Sequence, residues 1–416
     1  MKQKFFYLLL GFIGIFFPLI SCSSDSDSEK NDTPRAIKLT AEQQQLSEKL
    51  HNFNIKLLSD IEKLNQEDTD RSGNTICSPL GVQMVLSMIV NGVDKDEQSD
   101  ILDYLGTDNL ELLNGLNHEL LTQLPLVDKK ASLAIGNALW INSAYDYRLN
   151  KTFTQTVVNN YNSLISEDDF VKNNEATLNN INKWVDNSSN GLIQSHFSEL
   201  DSSALAIIFN SLYFRCKWAG EYFSDKDTSL SPFYGISKTS EVKTMKSKYF
   251  TAEYYKEDSF ELAEIPMGNN GYSFIIVLPQ QDYHPIDLLN TWSSSKLTDV
   301  LKKKDKVTMQ LMIPKLSLST SIDFEKVFMN SNPALLGNKT FTLFDNPVDG
   351  FIQLLQSNAF TLDEKGTEAA SVSSGTIMDV APGFERVEME VNRPFLFFII
   401  EKNSESILLE GVINDL

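Results

Sequence analysis

The sequence has few of the residues from which catalytic and metal sites are built. Its four histidines, His51, His118, His196 and His284, do not have the spacing of metal ligands. It contains no His-Glu-x-x-His, Gly-x-Ser-x-Gly or Cys-x-x-Cys motif and no glycine-rich phosphate loop. We therefore expect a protein that is not an enzyme and that needs no metal or cofactor. A hydrolase assembled from distant residues is the alternative that these absences disfavour.

Positive charge and cysteine are also scarce. The 416 residues hold 36 Lys and Arg against 56 Asp and Glu, a formal charge of −20. We expect no nucleic-acid partner, because binding to phosphates needs a basic surface. Cys77 and Cys216 lie in apolar segments, where a free cysteine packs as a small hydrophobe. We favour two buried thiols, with one disulfide in an oxidising compartment as the alternative.

A long apolar run occurs only at the N-terminus, from Phe5 to Ile20, and Pro18 interrupts it. Because a membrane-spanning helix needs about 20 apolar residues, we predict a signal peptide over residues 1–21. The ending Leu19-Ile20-Ser21-Cys22 resembles a bacterial lipobox, which implies cleavage before Cys22 and a lipid on that cysteine. An ordinary secretory peptide with an incidental cysteine is the alternative.

Residues 22–38 are polar and acidic and show no apolar periodicity, which predicts a flexible tether. A lipid on Cys22 would anchor the protein to a membrane without spanning it. Acidic residues directly after such a cysteine resemble the signals that send Gram-negative lipoproteins to the cell surface. We therefore expect an exported bacterial lipoprotein of the outer membrane, exposed at the cell surface and monomeric.

The apolar pattern of residues 39–416 indicates one α+β domain. Helical spacing dominates the first half, at 39–64, 74–90, 153–161 and 176–186, together with one predicted strand at 133–141. Short β-branched and aromatic runs dominate the second half and predict strands at 204–214, 273–278, 307–313, 388–391 and 393–400. Segregated helices and strands are typical of the α+β class.

Proline is missing from the segment that connects the last predicted strands. About 25 residues separate Leu362 from Glu388, a length that is usually functional or disordered. Gly366 to Met378 contains no proline and a single charge, at Glu368. In period two, one phase is small or uncharged: Thr367, Ala369, Ser371, Ser373, Gly375 and Ile377. The pattern predicts a segment able to be either an exposed loop or a strand with that phase inward.

Four motifs, in this order, resemble those of the serpin family. Asn74-x-x-x-Ser78-Pro79 resembles the start of its second helix, and Asn210-x-Leu212-Tyr213-Phe214-x-x-x-Trp218 resembles a strand of its main sheet. Glu364 to Ala370 resembles the hinge of inhibitory members. Met389 to Ile399 fits the C-terminal signature of the family. The resemblance covers roughly residues 40 to 416.

The resemblance implies the serpin fold: N-terminal helices, three β-sheets and an exposed reactive-centre loop. It also implies a suicide inhibitor of serine proteases, whose loop is cleaved and then inserts into the main sheet. The alternative is a non-inhibitory serpin that acts as a binding module at the cell surface.

The resemblance also assigns roles to particular residues. The loop hinge comprises Glu364, Gly366, Thr367, Glu368, Ala369, Ala370 and Ser371. The region that controls sheet opening comprises Ser78, Gly81, Asn210, Trp218 and Gln356. Two of these positions depart from the family, which usually has a serine at Gly81 and a histidine at Gln356. The departures put the ease of sheet opening in doubt.

Counting the usual loop length from Gly366 places the reactive bond at Val380–Ala381, within one or two residues. A valine before the bond and an alanine after it suit elastase-like proteases with small apolar pockets. Papain-like cysteine proteases are a further possible target class. A trypsin-like target is disfavoured, because the nearest basic residue is Arg386.

Overall fold

The structure, a computed structural model, describes residues 33–67, 73–188, 193, 197–292, 295–337, 339–367 and 383–416. Thr33 to Leu416 belong to one compact unit. The predicted lipidation site Cys22, the hinge residues from Glu368 to Ser371, and the bond Val380–Ala381 lie outside the described residues. Within the described ranges, no helix is both long and apolar enough to cross a membrane.

Nine α-helices occur in the described ranges, six of them in the first half of the chain. They are α1 Ala41–Glu67, α2 Pro79–Val90, α3 Gln98–Tyr104, α4 Leu110–Gln123, α5 Lys151–Tyr161, α6 Asn174–Ser188, α7 Pro285–Thr291, α8 Lys296–Lys302 and α9 Phe324–Ser331.

Helix α2 is buried along its whole length, because it carries apolar residues on nearly every side. Ser78 caps its N-terminus, where the Ser78 hydroxyl oxygen accepts the backbone N–H of Gly81 at 3.1 Å. Pro79 occupies the first turn, where no backbone N–H is needed. The helix predicted to follow the turn at Ser78-Pro79 therefore begins at that point, and Thr75–Cys77 before the turn form a strand.

Seventeen strands occur in the part of the chain that the structure describes, and all but β1, β2 and β3 lie after residue 205. The first nine are β1 Thr75–Cys77, β2 Ala131–Asn142, β3 Leu164–Asp168, β4 Ala206–Cys216, β5 Thr228–Tyr234, β6 Thr239–Lys246, β7 Phe250–Lys256, β8 Phe260–Met267 and β9 Tyr272–Pro279. The others are β10 Asp305–Pro314, β11 Leu316–Asp323, β12 Lys339–Phe341, β13 Val348–Gly350, β14 Ile352–Leu362, β15 Arg386–Glu390, β16 Phe395–Glu401 and β17 Ile407–Ile413.

The strands form three sheets in the described residues: ten strands, five strands in the order β11-β14-β4-β2-β3, and the β12-β13 pair. In the five-stranded sheet, one face of β4 packs in the main core with α2, through side chains such as Ile208 and Leu212. The other face, with Ile207 and Phe209, packs in a smaller apolar cluster that includes Ile181 of α6. Both faces of this sheet are therefore covered.

Strand β4, at the centre of the five-stranded sheet, runs parallel to its neighbour β14. They pair from Ile352–Ala206 to Asn358–Leu212. Beyond that point the described pairing of β14 is with β11, and that of β4 is with β2. The ladder between β4 and β14 thus ends before either strand does, which leaves an entry point for another strand at this end of the sheet.

Two smaller expectations can be compared with the structure. Cys77 and Cys216 are both buried and form no disulfide with each other, as the sequence favours. The end of the predicted tether, in contrast, lies against the folded unit: the Arg35 N–H donates to the Val127 carbonyl at 2.7 Å, and Ile37 is buried. The apolar side chain of Ile37 gains more from this contact than from solvent.

Candidate functional site

The chain reverses direction directly after β14, in a tight turn that we call the hinge turn, Asp363–Gly366. The Asp363 N–H donates to the Gly366 carbonyl at 2.8 Å, and the Gly366 N–H donates to the Asp363 carbonyl at 3.0 Å. The returning chain therefore runs antiparallel to β14. Because β14 is parallel to β4, the returning chain is also antiparallel to β4.

The returning chain already pairs with the end of β4. Gly366 lies opposite Lys217, and the Thr367 N–H donates to the Cys216 carbonyl at 2.8 Å. The Thr367 hydroxyl oxygen accepts the Cys216 N–H at 2.6 Å, and Thr367 is only 5% exposed. The first inward residue of the predicted hinge is therefore docked at the entry point between β4 and β14.

Only glycine fits at position 366. Its φ is +110°, and a Cβ there would lie 2.5 Å from the Cys216 carbonyl oxygen and 2.7 Å from the Trp218 nitrogen. Such contacts with backbone atoms cannot be relieved by side-chain rotation. Gly366 thus lets the hinge turn approach the end of β4 closely.

Trp218 supports the hinge turn from the strand side. Its indole N–H donates to the Asp363 carbonyl at 2.9 Å, and its backbone N–H donates to the Lys365 carbonyl at 3.2 Å. The ring packs edge-on against Phe274 in the core, and the residue is 5% exposed. Trp218 therefore combines core packing with direct support of the hinge.

Glu364 ties the hinge turn to its surroundings. Its carboxylate lies 2.5 Å from Lys315 Nζ and accepts the Thr228 hydroxyl at 2.5 Å, and its side chain is 7% exposed. Burial opposes ionisation, but the hydrogen bonds from Lys315 and Thr228 outweigh it and lower the pKa of Glu364 below its ordinary 4.5. Glu364 is therefore ionised at neutral pH, and the ion pair persists there.

A second group of predicted residues lies deeper in the sheet, and we call it the polar cluster: Ser78, Gly81, Asn210 and Gln356. Both the oxygen and the nitrogen of the Gln356 side-chain amide form hydrogen bonds. Its oxygen accepts the backbone N–H of Ser78 and the side-chain N–H of Asn358, each at 2.9 Å. Its nitrogen donates to the Ser78 carbonyl at 2.9 Å and to Asn210 Oδ1 at 3.1 Å. The Gln356–Asn210 bond joins β14 to β4.

Gly81 leaves the space that this arrangement needs. A Cβ at position 81 would lie 1.8 Å from Asn210 Oδ1 and 2.6 Å from Gln356 Nε2. Gly81 therefore leaves room for the side-chain amides of both Asn210 and Gln356. A neutral histidine offers one ring donor and one ring acceptor, whereas Gln356 fills two donor and two acceptor positions. Gln356 therefore forms more hydrogen bonds in the polar cluster than a neutral histidine could form at this position.

The structure divides the predicted sheet-opening residues into two places. Trp218 lies at the hinge turn, whereas Ser78, Gly81, Asn210 and Gln356 lie together near the middle of β4. Eight residues of β4 and its extension separate Asn210 from Trp218, about 26 Å along an extended strand.

Several hydrogen-bond partners of these residues were not predicted from the sequence. Asn137 accepts a hydrogen bond from Asn210 Nδ2 at 2.9 Å, and Lys315 and Thr228 hold Glu364. Asn358 belongs to the polar cluster through Gln356. A signal for Asn358 was present: an asparagine inside a buried apolar strand calls for a nearby hydrogen-bond partner. Nothing local in the sequence indicates Lys315 or Thr228.

No group of His, Cys, Asp and Glu side chains in the described ranges has a geometry that could hold a metal ion. The ladder between the parallel strands β4 and β14 is interrupted, and an antiparallel chain is docked at its open end. Such a sheet can accept one more strand at its centre.

Comparison with known proteins agrees with this geometry. The family model for serpins (serine protease inhibitors) matches residues 48–416. The chain is 25% identical to Serpin-ZX of Arabidopsis thaliana over 370 residues, which cover 83% of this chain and 93% of that protein. It is 27% identical to a serine protease inhibitor of Cyanea capillata over 372 residues, 82% of this chain and 92% of that protein.

Solved structures show the same fold. The native thermophilic serpin tengpin aligns with a TM-score of 0.78 at 22% identity, over 92% of this chain and 97% of tengpin. The fold is thus that of a serpin, with three sheets and helices concentrated in the N-terminal half. This chain belongs to the serpin family, whose members are generally serine protease inhibitors and not enzymes.

Proposed function

We propose that this serpin is a suicide inhibitor of elastase-like serine proteases, cleaved at Val380–Ala381. The single observation that carries the proposal is the docking of Thr367 beside Cys216, because it places the start of the loop at the entry to the central sheet. A module that only binds would have no need of this antiparallel start on β4. Inhibition by loop insertion requires it.

The chemistry begins as ordinary proteolysis. The serine hydroxyl of the target adds to the carbonyl carbon of Val380, the Val380–Ala381 bond breaks, and the amine of Ala381 leaves with a proton. An ester then joins Val380 to the protease. Cleavage frees the segment after Thr367 to continue along β4, and the attached protease travels with it before water can hydrolyse the ester.

The energy for this movement comes from new strand pairing. A central strand as long as β4, 11 residues, would form about 20 ladder hydrogen bonds at roughly 0.5–1.5 kcal/mol each. Only the shorter ladder between β4 and β14 is broken in exchange. The protease would be carried about 35 Å, the length of such a strand. The new hydrogen bonds together contribute on the order of 10–30 kcal/mol before the loss of the β4–β14 ladder is subtracted. A free energy of that size is enough to distort the active site of the protease.

Titration of protease activity tests the proposed specificity. The full-length protein should abolish the activity of an elastase at close to equimolar ratio, because Val380 and Ala381 fit small apolar pockets. It should leave trypsin essentially unaffected, which makes trypsin the matched control. Papain belongs in the same series, since cross-inhibition of papain-like proteases is part of the proposal. Turnover of the chain by elastase without loss of elastase activity would contradict inhibition and favour the non-inhibitory alternative.

We also propose that the protein is a lipoprotein of the outer membrane, exposed at the cell surface, and attached through Cys22 and the acidic tether. The support is the apolar run, the Leu19-Ile20-Ser21-Cys22 ending and the acidic residues that follow. Cys22→Ala should move the protein from the membrane fraction to the soluble fraction of the producing cells. Unchanged membrane retention in this variant would contradict the lipid anchor.

A further inference from the structure

The end of β4 that receives the hinge is held from its other side as well. Successive residues of an extended chain direct their backbone groups to opposite neighbours, so Cys216–Ala219 bonds to the hinge turn on one side only. On the other side, the Lys217 carbonyl accepts the Gly268 N–H at 2.8 Å, and the Ala219 N–H donates to the Pro266 carbonyl at 3.0 Å. The stretch therefore lies between the hinge turn and the end of β8.

The tight turn between β8 and β9, Gly268–Gly271, is built around a carboxylate, and we call it the support turn. The carboxylate belongs to Asp128, which precedes β2 and is 4% exposed. Its Oδ2 accepts the backbone N–H of Asn269 at 2.5 Å and that of Gly271 at 3.3 Å. Its Oδ1 accepts the side-chain N–H of Asn269 at 2.9 Å. Asp128 therefore fixes both the backbone and a side chain of the support turn.

The support turn approaches this carboxylate very closely. A Cβ at position 271 would lie 3.0 Å from Asp128 Oδ2, and a Cβ at position 268 would collide with the same oxygen. Gly268 also has a φ of +63°, which favours glycine. The two glycines of the support turn therefore allow its backbone to close around Asp128.

Asp128 also holds the start of β2. Its Oδ1 accepts the backbone N–H of Lys130 at 2.9 Å, and its carbonyl accepts the Ala131 N–H at 3.0 Å. Ala131 in turn lies opposite Cys216 in the ladder between β2 and β4. Asp128 thus joins the two elements that lie against the end of β4 on the side away from the hinge.

We infer that Asp128 is a positioning residue for entry of the reactive-centre loop. It holds the support turn against the start of β2, and these two elements together keep Cys216–Trp218 in the place where the hinge docks. This inference deepens the proposed inhibition and rests on it, because the docked hinge is the start of insertion. Asp128 acts only through β4, since it lies on the side of that strand away from the loop.

The substitution Asp128→Asn tests this role with the smallest change in shape. A side-chain amide has one oxygen that accepts and an NH2 group that donates. Whichever way the amide is turned, two of the four N–H groups that bond to the Asp128 carboxylate would face that NH2 group. The support turn should therefore loosen, and the end of β4 should loosen with it.

Asp415 offers a matched control, because its carboxylate also holds a hairpin turn. It accepts the backbone N–H groups of Ser237, at 3.0 Å, and of Lys238, at 3.3 Å, in the turn between β5 and β6. That turn lies at one edge of the ten-stranded sheet, where β5 is the last strand. Asp415→Asn should therefore loosen its own turn and leave the hinge unchanged.

Hydrogen exchange of the intact full-length proteins, followed by mass spectrometry, measures the docking of the hinge without a protease. The amides of Trp218 and Thr367 bond between β4 and the hinge. In Asp128→Asn we expect both to exchange at least about tenfold faster than in the wild type. Helix α2, which is buried along its whole length, serves as the internal reference and should not change. Asp415→Asn should give wild-type rates at Trp218 and Thr367.

Faster exchange confined to the support turn, with wild-type rates at Trp218 and Thr367, would overturn the positioning role. Unchanged exchange at both places would overturn it too. Equal acceleration in α2, or equal acceleration of Thr367 in Asp415→Asn, would also count against it, because the cause would then be a general loss of stability.

Inhibition is measured separately, as the fraction of elastase trapped per chain cleaved. Asp128→Asn should trap at least about threefold less elastase than the wild type, because insertion no longer starts from a docked hinge. Wild-type trapping by Asp128→Asn, despite faster exchange of Thr367, would refute a role in loop entry. A wild-type protein that traps no elastase would refute the proposed inhibition, whereas the exchange rates would still show whether Asp128 positions the hinge.

Discussion

Thr367→Arg is expected to convert the protein from an inhibitor of elastase into a substrate. Thr367 is 5% exposed, and its hydroxyl accepts the Cys216 N–H. An arginine there must either bury an unpaired charge, at a cost of several kcal/mol, or remain outside the sheet. Since each 1.4 kcal/mol is a factor of about ten in rate, insertion should slow at least 100-fold relative to hydrolysis of the ester.

The measurement is the fraction of elastase trapped per chain cleaved, which should fall at least about tenfold. The variant should still be cleaved at the wild-type bond, which separates blocked insertion from a failure to fold. Thr367→Ser is the matched control, because it keeps the hydroxyl that accepts from Cys216 and should trap elastase as wild type does. Undiminished trapping by Thr367→Arg would refute insertion next to β4.

Gly81→Ala is expected to destabilise the intact protein by about 2–4 kcal/mol. The added Cβ would lie 1.8 Å from Asn210 Oδ1, so Asn210 must move and lose its bonds to Gln356 and Asn137. The midpoint and slope of urea unfolding measure this change. Gly115→Ala is the matched control: Gly115 also lies within a helix, α4, and its Cβ would meet only the end of the Gln43 side chain, at 3.3 Å.

A double-mutant cycle shows whether the clash with Asn210 is the cause. Asn210→Ala removes the atoms that the new Cβ would strike. The variant that combines Gly81→Ala with Asn210→Ala keeps only the close contact with Gln356 Nε2, at 2.6 Å, and should therefore lose less stability than the sum of the two single losses, a coupling of more than about 1 kcal/mol. Additive losses in the double variant, or a Gly81→Ala protein as stable as Gly115→Ala, would contradict the packing described for the polar cluster.

The fold could be predicted from the sequence because the patterns that indicate helices and strands are local in the chain. The length and β-branching of the apolar run 204–214 predict a buried strand, which the structure places at Ala206–Cys216. The segregation of helices from strands indicated the α+β class, and the four motifs indicated the family. Strands β5 and β6 were not predicted, because half-exposed polar side chains weaken the apolar pattern that identifies strands.

The candidate site could be predicted from the sequence only in part. The residue types of the hinge could be read along the chain, but the docking of Thr367 depends on Cys216, 151 positions away. Gly81 and Gln356 are even further apart in the sequence, so each position alone looked like a loss from the family pattern. Together they form a packed arrangement around Asn210. Compensation of this kind becomes visible only when the contacts are known.

The most direct test of the central claim is a denaturing gel of the full-length protein after incubation with an equimolar elastase. Trapping by loop insertion predicts a band that resists SDS, with the mass of elastase joined to the chain up to Val380. It also predicts a released fragment that begins at Ala381. Nicked chain together with free, active elastase and no covalent band, with papain and trypsin giving none either, would contradict the account.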